Sequence, residues 1–474
     1  MKISRRSFLW SSGAATLGFV GLRAFLRDAH ANLRSPGFGE LVDDRNGILR
    51  LPPGFSYEAF SDTGDPTDDG LRVPGGHDGM AAFRGPEGRV ILVRNHELSN
   101  DVPQLGPFGD RNERLTEDLI PRLYDAGCGK MPGLGATTTV VYDVRRRKVE
   151  RQFVSLAGTW RNCAGGPTPW GTWLSCEESV QRSGGMVEKD HGFVFEVPAS
   201  PDMRMAEPLP LKAMGRFNHE AAAVDVRTGC VYLTEDRGGN GILQPRDRGF
   251  GLLYRFVPRR PGALAHGGRL QALKIREQPT ADTTNWLARR IVPGQSFDVE
   301  WVDLRETDSP NDDLRFQGAA KGAAGFSRNE GIWAGKDVLY FCSTDGGSAG
   351  KGQVWRYRPA PDEAGPGEEK TPGRLDLFAE PNESTVLKNC DNLTISPQGD
   401  LVLCEDSPGL NCLVGVTPEG RFYPLAQSVL PNSEFAGACF NPDGTVLFVN
   451  LQRPGLTLAI FGPDSGGFRR PARV

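Results

Sequence analysis

Beyond its first thirty residues the 474-residue chain has no long apolar run, so nothing there reads as a membrane-spanning helix. Positive charge is not in excess either. Lys and Arg number 55 against 59 Asp and Glu, a net −4 at pH 7, which does not suit a nucleic acid as partner. The nine cysteines are odd in number and include no C-x-x-C pair, so neither a zinc ribbon nor an even disulfide framework is indicated. The glycine fingerprints of dinucleotide and nucleoside-triphosphate sites are missing. Helical periodicity is scarce, with residues 112–125 the best candidate. What remains is a chain of short strand-like runs separated by turns. Its 60 Gly and 36 Pro, about a fifth of the residues, stay below the level that signals disorder.

The N-terminus reads as a targeting signal. Ser4-Arg5-Arg6-Ser7-Phe8-Leu9 is a twin-arginine pattern, followed by a weakly apolar stretch over 9–22 and a small-residue cleavage site at Ala29-His30-Ala31. The stretch is too short and too rich in Gly, Ser and Ala for a stable membrane anchor. The expectation is export through the twin-arginine machinery to the periplasm or beyond, with residues 1–31 removed and 32–474 forming one domain. The removed piece carries five basic residues and one acidic one, so the mature charge falls from −4 to −8.

Four segments share one spacing: a polar residue of metal-ligand type, then an acid fifteen positions later. Cys163 is followed by Glu178, Glu220 by Glu235, Glu330 by Asp345, and Asp391 by Asp406. An apolar run precedes each second residue, which is what an antiparallel hairpin places between two neighbouring strand ends. Three runs, ending at Pro198, Pro258 and Pro359, share one lettering, and each lies between one acid-ended hairpin and the next. Six such units, the first over 77–97 and the last over 434–450, predict an all-β six-bladed propeller with loop insertions at 99–134 and 259–325. Residues 49–60 would complete the final blade, Phe435 and Asn450 would fill its two slots, and 361–373 reads as a mobile surface loop.

In such a ring the first-slot residues Cys163, Glu220, Glu330 and Asp391 meet at one mouth of the channel, joined by Glu97. Gathered carboxylates repel one another and call for cations. Calcium suits the oxygens, with Asn95, Asn162 and Asn392 able to assist, and the thiolate hints at a softer metal such as iron. Cys176 and Cys404 are the competing thiols. The second-slot acids, Glu178 among them, would be ligands or orienting groups, with Glu177 and Glu405 as adjacent alternatives. Arg328, two residues before Glu330, is apt for holding a phosphate or carboxylate. His219 and His96 are candidate proton carriers or partners of the ligands.

The stretch Asn162-Cys163-Ala164-Gly165-Gly166-Pro167-Thr168-Pro169-Trp170-Gly171-Thr172-Trp173 with Cys176-Glu177-Glu178 resembles the PhoX-type alkaline phosphatases. So do Asn218-His219-Glu220-Ala221-Ala222 with Tyr232-Leu233-Thr234-Glu235-Asp236, Arg328-Asn329-Glu330-Gly331, and Asp391-Asn392-Leu393. The resemblance implies a six-bladed propeller that hydrolyses phosphomonoesters at a cluster of iron (Fe3+) and calcium (Ca2+) ions. It implies Cys163, Glu220 and Glu330 as ligands, with Glu97, Glu178 and Asp391, and Arg328 gripping the phosphate ester. The rival readings are a calcium-dependent propeller lactonase or esterase, and a non-catalytic binding propeller kept stable by calcium.

Overall fold

The computed structural model describes residues 36–43, 47–237, 250–463 and 467–470. The signal predicted over 1–31 lies outside the described residues. Among those residues no helix is long and apolar enough to cross a membrane.

The fold is all-β and propeller-like, with five antiparallel sheets. Their innermost strands are His77–Arg84, Asn162–Pro167, His219–Val224, Asn329–Ala334, Cys390–Ile395 and Phe435–Phe440. Each packs against the next, and the last packs against the first. The nine-stranded sheet holds two of these inner strands at its ends. Its halves are joined by Ser296–Asp303, from the 259–325 insertion, which pairs with Gly268–Ile275 on one side and Arg374–Ala379 on the other.

Apolar strands form because both faces of a blade are covered by its neighbours. Val446–Leu451 is buried along its whole length, including Asn450. Where a face is half open, alternation returns: Trp355 and Tyr357 point into the core while Arg356 pairs with Asp376 at 2.8 Å. Close approach at the axis demands small residues. A Cβ on Gly331 would stand 2.8 Å from Asn392 Cα, and one on Gly437 (φ +60°) would stand 2.3 Å from Asp78 O. Trp333 packs against apolar clusters of several blades.

The 49–60 segment divides its work. Ser56–Phe60 pairs with Leu456–Phe461 and completes the last sheet, as expected, while Leu49–Arg50 adds to the sheet before it. Two expectations are corrected. Residues 112–125 hold turns and the short 3-10 turn Ile120–Arg122; the α-helix among the described residues is Leu314–Ala320, in the other insertion. The 361–373 segment is pinned rather than loose. Glu363 is buried against the hydroxyls of Tyr232 (2.7 Å) and Tyr357 (3.0 Å), and both Glu363 and Glu368 contact the buried Arg255. Composition favoured disorder there, and a distant arginine overrides it.

Candidate metal centre

Every inner strand slips register at the same place. The last regular pair is His77–His96, Asn162–Glu177, His219–Glu235, Asn329–Ser343, Cys390–Glu405 or Ala436–Asn450, and two unpaired residues follow on the inner strand. Such bulges re-aim side chains. Here the paired residue turns into its blade and the next one turns to the mouth. Asn162 accepts from Thr159 Oγ1 at 2.6 Å and donates to Ser175 Oγ at 2.8 Å, while Asn329 accepts from Ser343 Oγ at 2.9 Å. The residues that follow these pairs are Asp78, Cys163, Glu220, Glu330 and Asp391, with Gly437 in the last blade.

The bulge corrects the fifteen-residue register. The third hairpin is one residue longer than the second and the fourth one shorter, so the outer slot holds Glu97, Glu178, Asp236, Thr344 and Asp406. The displaced acids serve elsewhere. Glu235 accepts from Tyr254 OH at 2.7 Å and Leu252 N at 3.2 Å, and the Asp345 carboxylate accepts from Ser327 Oγ. Glu177 accepts from Gly192 N at 2.8 Å and His191 Nδ1 at 2.6 Å. Glu405 takes the N–H groups of Lys388 (2.6 Å) and Cys412 (2.8 Å). All four brace loops. Phe435 is likewise not the last blade's inner-slot residue; Gly437 is.

Ligand-type atoms gather in three overlapping groups, each within 4.8 Å: Asp78, Glu97 and Cys163; Cys163, Glu178 and Glu220; Glu220, Glu330 and Asp391. All six candidates from the sequence are therefore brought together. Asp78 was missed because His77-Asp78-Gly79 looks like a turn, and its signal was only its place at the start of an inner strand. Cys176 and Cys404 instead lie in apolar clusters of their blades.

The charges are unbalanced. Both Glu220 oxygens are buried and accept no hydrogen bond. Burial, then Asp391, Glu178 and Asp78, raise its pKa well above the carboxylate range. Burial and Glu97 do the same to Asp78, burial and Asp78 to the Cys163 thiol, and burial and Glu97 to Glu178. Asp391 is pushed to about 7 by burial and Asp406. Glu434, on the same side, is raised by burial and Asp406. Buried carboxylates without donors are costly unless a cation or proton meets them, so this donor set fits metal ions. Oxygens dominate and one thiolate sits among them.

Two arginines flank the groups. Arg161 donates to Glu97 Oε1 (2.7 and 2.9 Å) and to Glu178 Oε2 (2.5 Å). Arg328 donates to Asp236 (3.1 Å) and approaches Glu330 Oε1 at 2.6 Å without the geometry of a hydrogen bond. His219 is engaged within its own blade. Its Nε2 lies 3.0 Å from Gly215 O, its ring stacks on Phe217, and burial lowers its pKa to about 3. His96 is likewise held by Gly75 O and Thr138 Oγ1. Asn95 is spent on Cys163 O, Ala164 O, Trp173 and Ser175, and Asn392 on Gly437 N and Asp391.

A family model for alkaline phosphatase PhoX matches residues 36–455. Among solved structures, Pseudomonas fluorescens PhoX in complex with vanadate, a transition state analogue, aligns with a TM-score of 0.65 at 18% identity. The alignment covers 91% of this chain and 99% of that one, and shows a shared fold. A gluconolactonase from Xanthomonas campestris aligns with a TM-score of 0.38 at 12% identity, over 89% of this chain and 100% of that one. No curated protein sequence matches the chain.

Proposed function

The chain belongs to the alkaline phosphatase PhoX family, and from that premise we propose that it is an exported, calcium- and iron-dependent phosphomonoesterase. The observation that carries the metal-dependent reading is Glu220, buried without a hydrogen-bond donor at the junction of two ligand groups. Glu97, Cys163, Glu178, Glu220, Glu330 and Asp391, with Asp78 added, would hold the cations. Carboxylate-rich positions suit calcium and the Cys163 thiolate suits iron. When bound, the cations supply positive charge against the phosphate oxygens and acidify water for attack on phosphorus.

The chain's own residues do the rest. Arg328 grips terminal phosphate oxygens of the small-molecule ester from the rim. Asp236 aims that guanidinium through two contacts, at 3.1 and 3.3 Å. We count six blades by reading the nine-stranded sheet as two, in one domain over 32–474, with 1–31 as the twin-arginine signal and the periplasm or medium as destination.

The test is elemental analysis of the exported protein beside hydrolysis of 4-nitrophenyl phosphate with and without calcium. Calcium, iron and calcium-dependent hydrolysis together are expected. Protein that carries both metals yet leaves the ester intact would reject the function and keep the metal centre.

A further inference from the structure

Arg161 and Arg328 occupy the same position in two blades. Each opens an inner strand, and its carbonyl accepts the N–H of the outer-slot residue. Glu178 N donates to Arg161 O at 2.9 Å and Thr344 N to Arg328 O at 3.0 Å, as Glu97 N does to Gly76 O and Asp406 N to Asn389 O. The position is left-handed, with φ of +56° at Gly76, +47° at Arg161, +42° at Arg328 and +48° at Asn389. Glycine and asparagine adopt that conformation readily, whereas arginine does so at a cost. Two arginines held there place their guanidiniums where backbone preference alone would not.

The two side chains stand on either side of the ligand groups. Arg161 meets Glu178 at 2.5 Å, Glu178 and Glu220 share one group, Glu220 and Glu330 share the next, and Arg328 meets Glu330 at 2.6 Å. The blade between them carries the shorter Asn218 at this position, and its Nδ2 points to Asp236 O at 3.5 Å. Side-chain exposures of 38% and 33% leave each fork a face toward solvent.

We propose that Arg161 is a second phosphate-gripping residue, which closes with Arg328 a two-guanidinium clamp across the metal centre and selects monoester dianions over diesters. The inference rests on the phosphatase reading above. Above pH 7 a monoester carries nearly two negative charges on three terminal oxygens. Two planar forks can share that group. A diester has one charge and two such oxygens, so the second fork would face an esterified oxygen with nothing to accept its protons.

The test compares metal-loaded wild type with Arg161→Gln and Arg161→Lys. It uses calorimetric binding of inorganic phosphate, kcat/KM for 4-nitrophenyl phosphate and for bis(4-nitrophenyl) phosphate, and elemental analysis of each protein. In Arg161→Gln, phosphate binding and monoester kcat/KM are expected to fall about 10–100-fold, as for loss of a charged hydrogen-bond partner. The diester value should change less than about threefold, metal content should hold, and Arg161→Lys should recover part of the loss. Wild-type phosphate affinity in the glutamine variant would overturn the clamp. So would equal losses on both substrates accompanied by lost metal, which would leave Arg161 a brace for Glu97 and Glu178. A wild-type protein that binds phosphate but cleaves no monoester would sink the phosphatase reading, while the binding comparison would still decide whether Arg161 grips phosphate.

Discussion

Cys163 and Glu220 sit on adjacent inner strands, and each belongs to two of the three ligand groups, so together they link all three. Removing either should therefore affect more than one cation. Elemental analysis of Cys163→Ser and Glu220→Gln is expected to show loss at two positions. Cys176→Ser, in the apolar interior of its blade, should keep its metal. Full metal content in Cys163→Ser would remove the thiolate from the centre.

Metal binding should release protons. Burial and neighbouring carboxylates raise the pKa of Glu220, Asp78, Glu178 and the Cys163 thiol, and Asp391 stands at about 7. Cations must displace those protons, so affinity should climb as pH rises through 7 and weaken below it. Calorimetry in buffers of different ionisation enthalpy reads the number released, and a value near zero at pH 7 would contradict the charge balance described here.

His191 predicts a loss of stability on the alkaline side. Burial alone would lower its pKa, but Glu177 at 2.6 Å and Asp125 at 3.3 Å more than offset this and lift it to about 9. A raised histidine pKa contributes stability that is complete below the unfolded value near 6.5 and lost as pH passes through 9. The loss should approach roughly 3 kcal/mol. Denaturant unfolding at pH 6 and pH 10 measures it, and His191→Gln should flatten that part of the profile.

Arg255 fastens the 361–373 segment. Replacing it by methionine leaves Glu363 buried without its cation, which should cost about 3–5 kcal/mol. Thermal unfolding and limited proteolysis check this. Cleavage within 361–373 should speed up in Arg255→Met, and an unchanged digestion pattern would show that the hydroxyls of Tyr232 and Tyr357 hold the segment by themselves.

The blade pattern was legible because buried strands must be apolar and their polar ends must face water or a ligand. On that ground Cys163, Glu220, Glu330 and Asp391 stood out with Glu97, while Glu178 stayed open beside Glu177. Hairpin length was not legible. One residue gained or lost between Glu220 and its partner strand exchanges Glu235 for Asp236, and sequence alone does not say where a bulge falls. Asp78 was hidden by its glycine neighbour. His219 looked chemical by its place beside Glu220, yet adjacent residues on a strand face opposite ways, and its side belongs to the blade. The pinned 361–373 segment depends on Arg255, far away in the chain, which local composition does not register.

The pairing of Ser56–Phe60 with Leu456–Phe461 has a consequence for assembly. Nearly the whole chain separates the two strands, so the clasp that shuts the circle can fasten only after the latest-synthesised blade has emerged. Until then the earlier blades form an open arc with bare edges and a half-built mouth. None of the three ligand groups spans that seam, because each is drawn from consecutive earlier blades. A chain shortened at residue 450 keeps every ligand residue but loses the strand that Ser56–Phe60 pairs with, so it should remain an open arc.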